Sequence, residues 1–199
     1  MGERPSVGAV IAVAVVVGII VVVGLLLWAS YNRFVRQRQL IDNSWSNVDT
    51  ELKRRHDLIP NLVETVRGYA THESATLEAV IQARSTAVAA TGPAAQGPSE
   101  NVLSDALRSL LALREAYPDL KANTSFLELQ RELVNTEDRI QAARRFYNSN
   151  VRDYDTRVES FPSMLVARVG GFERVDYFEL DAATRAAGAP SVDLQQPGS

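Results

Sequence analysis

Every residue from Val7 to Ala29 is apolar or glycine. As a helix this run would reach about 34 Å at 1.5 Å per residue, enough to cross a bilayer with some tilt. Trp28 and Tyr31 then fall at headgroup depth, and Arg33, Arg36 and Arg38 follow where phosphates or water can take them. The pattern predicts a transmembrane helix over residues 7–29, preceded by a short segment, 1–6. A cleaved signal peptide is the alternative. The run is longer than the usual 7–15-residue signal core, and Leu27-Trp28-Ala29 is a poor small-x-small cleavage site. Gly8, Gly18 and Gly24 do not make a GxxxG pair, so no helix–helix seam is expected through them.

Beyond the membrane run the periodicity is helical almost throughout. Ile41, Trp45, Val48, Leu52 and Ile59 follow alternating three- and four-residue steps, interrupted at Arg55, and Leu62, Val66, Tyr69, Leu77 and Val80 continue less strictly. Pro60 lacks an amide donor and disfavours helical geometry at Ile59, so the first helix is expected to end there and a second to start. Thr91 to Pro98 reads as a loop, rich in Gly and Pro. A third helix carries Leu103, Ala106, Leu107, Leu110 and Leu113, and Pro118 should close it. Ser125 with Glu128 suggests a capping box for a long fourth helix, Ser125 to Ser160, whose apolar face is Phe126, Leu129, Leu133, Ile140, Tyr147, Val151, Tyr154, Val158 and Phe161. Pro162 ends it. Val175 to Leu180 hints at an extended piece packed on the helices, and the Gly, Pro and Gln of the last fifteen or so residues suit a mobile tail.

Helices that each carry one apolar face need partners. The expected fold is therefore all-α: an antiparallel up-and-down four-helix bundle over residues 30–180, preceded by the transmembrane helix and followed by a disordered tail, 181–199. Orientation follows from charge. Three arginines stand after the apolar run with no acid until Asp42, whereas Glu3 and Arg4 stand before it. The positive-inside rule places the N-terminus outside and the bundle on the cytoplasmic side of a cell membrane, as a single-pass protein.

Composition removes several kinds of chemistry. With no cysteine there is no disulfide, thiolate nucleophile or Cys-ligated metal, and 21 Lys+Arg against 24 Asp+Glu leave a net charge of -3, unsuited to nucleic acid as the main partner. The phosphate-cradling glycine motifs and the G-x-S-x-G elbow do not occur, so no catalytic residue and no cofactor is expected. His56, Asp57, His72 and Glu73 are the only metal candidates; their spacing matches no metal motif, and polar surface residues is the expected reading. The unusual feature is charge at core positions. Arg55 takes the heptad slot between Leu52 and Ile59, while Thr136 and Ala143 take the slots around Ile140 and leave room for Glu137 and Arg144. A structural polar layer of Arg55, Glu137 and Arg144 is expected, a device that fixes helix register more than it adds stability; a solvated face is the alternative.

The run Arg54-Arg55-His56-Asp57-Leu58-Ile59-Pro60-Asn61-Leu62-Val63-Glu64-Thr65-Val66, with Tyr69-Ala70 and His72-Glu73, resembles the signature of the LemA family. Tyr31-Asn32, Trp45, Tyr117 to Asn123, Phe126, Leu129, Thr136-Glu137, Arg139-Ile140, Arg144, Tyr147-Asn148, Val151, Tyr154 and Phe161-Pro162 extend the likeness to about Glu179. Asp155 departs from it, standing where the family tends to have Asn, and is expected on the helix surface. The resemblance implies a bacterial single-pass membrane protein with a cytoplasmic four-helix bundle and no established reaction. Relatives are linked to intracellular membrane formation in magnetosome-forming bacteria, and family genes often neighbour membrane proteins or membrane peptidases. The expected function is a non-enzymatic scaffold or accessory protein that meets the lipid bilayer through residues 7–29 and recruits a membrane-associated protein partner. A membrane-linked sensor with a pocket between helices is the alternative, and a metal-dependent hydrolase using His56, Asp57, His72 and Glu73 the remote one.

Overall fold

The computed structural model describes residues 7–179; the short segment 1–6, Leu180 and the tail 181–199 lie outside them. The described chain is helical, with no strand: α1 Val7–Arg67, α2 Ser74–Ala89, α3 Pro93–Ala112, a 3-10 turn Leu113–Glu115, α4 Pro118–Lys121, α5 Thr124–Glu159 and α6 Ser163–Gly170. It divides into two compact units, one of residues 7–43 and 149–175, the other of 44–148 and 176–179.

In the first unit α1 begins with the apolar run, whose side chains from Val15 to Trp28 lie exposed all round. Phe34 is buried, stacked on Phe172 at 4.8 Å and edge-on to Tyr154 at 6.0 Å. Burial, and then the nearby Arg33 charge, lower the Arg157 pKa below the usual arginine value. Phe34 packs on Tyr154 and the Arg33 charge lies near Arg157, so α1 and α5 run antiparallel here. Gly171, in the left-handed region at φ 68°, ends α6, and the Phe172 amide donates back to the Ala167 carbonyl at 2.9 Å. Asp155 is buried at 5% exposure, contrary to the surface position expected of it. Its Oδ1 accepts the Val175 amide at 3.2 Å and its Oδ2 faces Arg174 at 3.5 Å. Either Asp or Asn can accept that amide, and Asp adds the charge for Arg174.

In the second unit one apolar core is shared by α1 (Ile59, Leu62, Val63, Val66), α2 (Leu77, Val80, Ala83, Ala87), α3 (Leu103, Leu107, Leu110) and α5 (Phe126, Leu133). Residues 176–179 are extended without forming a sheet, because side chains stand in for a neighbouring strand. Asn148 donates to the Phe178 carbonyl and accepts from its amide, both at 3.0 Å, and the Tyr147 hydroxyl donates to the Asp176 carbonyl at 2.8 Å. Phe178 is thereby buried edge-on to Trp45 at 5.4 Å. Gly97 lets the segment approach, since a Cβ there would lie 2.5 Å from the Glu179 carbonyl oxygen.

Three expected boundaries are corrected. Helix α1 does not end at Pro60 but runs to Arg67. Proline leaves the carbonyl four residues earlier, that of His56, without its helical donor. Arg84 of α2 supplies one, its Nε donating to the His56 oxygen at 2.7 Å. Residues 93–98, expected in a loop, form the start of α3; Pro93 suits the first helical position, while Pro98, sixth in the helix, lies inside it and leaves the Ala94 carbonyl without its helical amide donor. The cap of α5 is Asn123, not Ser125: its Oδ1 accepts the Phe126 amide at 2.8 Å. The Pro60 account makes a prediction. Arg84→Met should destabilise the protein by about 1–2 kcal/mol, and much less in a Pro60→Ala background, where the restored amide satisfies His56 O. Equal losses in the two backgrounds, measured by denaturant titration, would refute it.

Candidate functional site

The polar residues of the second unit converge on Glu100. Its carboxylate is fully buried in α3, and Arg55 and His56, consecutive on α1, both turn toward it at 2% and 6% exposure. Arg55 Nη2 donates to Glu100 Oε2, and His56 Nε2 meets Glu100 Oε1 at 2.7 Å. Arg55 Nη1 donates to Glu137 Oε2 on α5 at 2.8 Å and to Ser104 Oγ, one turn after Glu100, at 3.2 Å. Gln141 steadies Glu137 from one turn along α5, donating to Oε1 at 2.7 Å. Glu137 differs from Glu100 in being open to solvent, with 41% of its side chain exposed.

Burial alone pushes the Glu100 carboxyl up. The hydrogen bond from His56 and the charges of Arg55 and His56 outweigh it and hold the group below its usual range, so Glu100 is a carboxylate at neutral pH. The proton between it and His56 then sits on Nε2, which donates. Each Glu100 oxygen receives one donor, whereas the buried Arg55 Nε has no hydrogen-bond partner among the described residues, so the cluster is an ion network joined through the Glu100 carboxylate. Its function in the fold is geometric: α1, α3 and α5 are tied at one level by one guanidinium.

Of the expected layer, Arg55 and Glu137 come together. Arg144 lies two turns further along α5, half-buried, and among the described residues no ion pair joins it to either. Glu100, Ser104 and the participation of His56 are what the heptad reading missed. His56 is also no surface residue, contrary to expectation, because Glu100 draws it inward. The other three metal candidates stand apart from it: Asp57 is exposed, His72 lies exposed in the turn after α1, and Glu73 accepts from the Tyr117 hydroxyl at 3.2 Å. Among the described residues no group of three or more His, Asp or Glu is placed to hold a metal ion.

A groove of about 290 Å³ opens beside the network between α3 and α5, lined by Leu107, Leu111, Leu133 and Val134 with Arg55, Ser104, Arg108 and Glu137. It lies at the lower edge of the size range of small-molecule sites.

Comparison with known proteins agrees with the motif placement. Magnetosome protein MamQ of Magnetospirillum gryphiswaldense is 27% identical over 89% of this chain and 74% of its own length. Protein LemA of Metamycoplasma hominis is 26% identical over 77% of this chain and 71% of its own length. Residues 44–194 match the LemA family, a stretch that holds Arg55, His56, Glu100 and Glu137 together, and the chain belongs to that family.

Proposed function

We propose that the chain is a membrane-anchored, non-enzymatic scaffold or accessory protein: one pass through residues 7–29, an antiparallel up-and-down four-helix bundle of α1, α2, α3 and α5 on the cytoplasmic side, and a membrane-associated protein as partner. The observation that carries this reading is the apolar run of α1, exposed on every face from Val15 to Trp28, a surface that only lipid or another apolar partner can cover. The bundle is supported by the shared core and by the pairings of Trp45 with Tyr147, Glu51 with Arg139 and Arg55 with Glu137, which run in opposite directions along α1 and α5. One of the relatives is by name a magnetosome protein. The engagement of both Glu100 oxygens by Arg55 and His56 favours a structural role over a catalytic one. The groove beside it is the feature that favours the sensor reading, and its small, half-open form leaves that reading second.

Because the chain has no cysteine, Ser199→Cys gives a single probe of orientation. The thiol should resist a membrane-impermeant reagent in intact cells and react after lysis. Labelling in intact cells would overturn the cytoplasmic assignment. Cross-linking in intact cells followed by mass spectrometry should return a membrane-associated protein; recovery of soluble proteins alone would count against the accessory role.

A further inference from the structure

Helix α6 is apolar on the side that a surface helix should keep polar. Its inward side is ordinary: Ala167 is buried, and Met164 and Val166 are half-buried. Outward, Leu165 is 51% exposed and Val169 92%, four residues apart on one face, and Phe161, just before the helix, is 79% exposed. Arg168 is the single charge in the helix sequence. Scattered apolar exposure is normal, but a short helix apolar on both sides needs a second apolar environment.

The level at which this helix sits identifies that environment. Phe34 packs on Tyr154, and α1 and α5 are antiparallel in this unit. From Tyr154 the five residues to the end of α5 at Glu159 advance about 7.5 Å, the distance along α1 from Phe34 back to Ala29. Helix α5 therefore stops level with Ala29, the last residue of the apolar run of α1. The other end of α6 is fixed at the same height: a Cβ on Gly170 would lie 3.4 Å from the Tyr31 ring, and Phe172 packs on Tyr31 at 5.3 Å. Both ends of α6 thus lie at the level of Ala29 to Tyr31, beside the aromatic and arginine residues that mark a headgroup layer.

We propose that Phe161, Leu165 and Val169 form an apolar foot that dips into the interfacial layer of the same leaflet that receives Trp28 and Tyr31, so that the protein holds the membrane by a helix lying along its surface as well as by its span. The partner is lipid. Arg168 extends toward headgroup phosphates while its stem stays with the apolar face, the usual arrangement for an interfacial helix. The contact holds the first unit at a set height and tilt on the bilayer, which a lone spanning helix does not. This inference rests on residues 7–29 spanning a bilayer.

The test uses the full chain in vesicles of phosphatidylcholine with a minority of phosphatidylglycerol. Single substitutions Phe161→Cys, Leu165→Cys and Val169→Cys, each labelled with an environment-sensitive fluorophore, are compared with Ile20→Cys inside the span and Val102→Cys on the exposed face of α3. At 161, 165 and 169 the emission should shift to the blue and be quenched by nitroxide lipids, more by a nitroxide near the headgroup than by one near the bilayer centre. At 20 the deep nitroxide should quench more strongly, and at 102 neither should act. Quenching at 20 with water-like emission at the three positions would overturn the foot and leave the span standing. A blue shift at the three positions without lipid quenching would mean that protein, such as a second copy, covers them, and would also overturn it. No quenching at 20 would remove the span and the foot together.

Discussion

Glu100→Gln is expected to destabilise the protein by about 3–5 kcal/mol at pH 7, as breaking a buried ion pair by removing one partner does. The carboxylate is fully buried and receives Arg55 and His56 at once. The neutral amide keeps the volume but leaves the Arg55 charge facing inward with only Glu137, at the solvent edge, to answer it. The loss should depend on pH in a defined direction. A carboxyl held below its usual value in the folded state contributes stability that is fully present above the unfolded value, near 4.5, and disappears as pH falls through the lower folded value. The gap between the wild-type protein and Glu100→Gln should therefore be widest at neutral pH and shrink below about pH 4.5. Denaturant titrations of the full chain in mild detergent at pH 7 and pH 3 measure both. A gap unchanged by acid would mean that the ionised form of Glu100 is not what holds the helices.

The elements were legible in the sequence wherever a repeating pattern spoke for itself. The apolar run, the faces of the later helices and the family motifs needed only spacing. What misled was local chemistry that tertiary contacts override. Pro60 carries a real cost in a helix, and no neighbour in sequence reveals that Arg84 will donate to the carbonyl it orphans. Residues 91–98 have loop composition, yet Pro93 suits the first helical position and the helix runs on through Pro98. The centre of the site lies just past that stretch and was also missed. Once α3 is allowed to begin at Pro93, Gln96, Glu100, Leu103, Leu107 and Leu110 make an unbroken series of four- and three-residue steps, all buried, and Glu100 occupies a core position as plainly as Arg55 does. The loop assignment removed only Gln96 from that series and left Glu100 at its edge, one step before Leu103. Asp155 was different: Val175 to Leu180 already read as an extended piece packed on the helices, but spacing does not say that the Val175 amide and Arg174 come back to this carboxylate.

Arg55→Met should also cost about 3 kcal/mol or more, and double-mutant cycles should show where the loss comes from. If Glu100 is the principal partner, Arg55→Met combined with Glu100→Gln will lose clearly less than the sum of the single losses, with a coupling of about 1–3 kcal/mol, because the second substitution removes a charge that the first has already stranded. The cycle with Glu137→Gln should give roughly 0–1 kcal/mol: the 2.8 Å pair is direct, but a side chain 41% exposed keeps much of its hydration when the pair breaks. Arg144→Met should change stability by no more than about 0.5 kcal/mol, as a substitution of a half-buried residue outside the network does. This ordering follows from burial and not from distance, since both carboxylates lie within hydrogen-bond reach of the same guanidinium. A larger coupling to Glu137 than to Glu100 would make the register device the solvent-edged bridge from α1 to α5, and a large loss at Arg144 would restore it to the polar layer that the heptad spacing suggests.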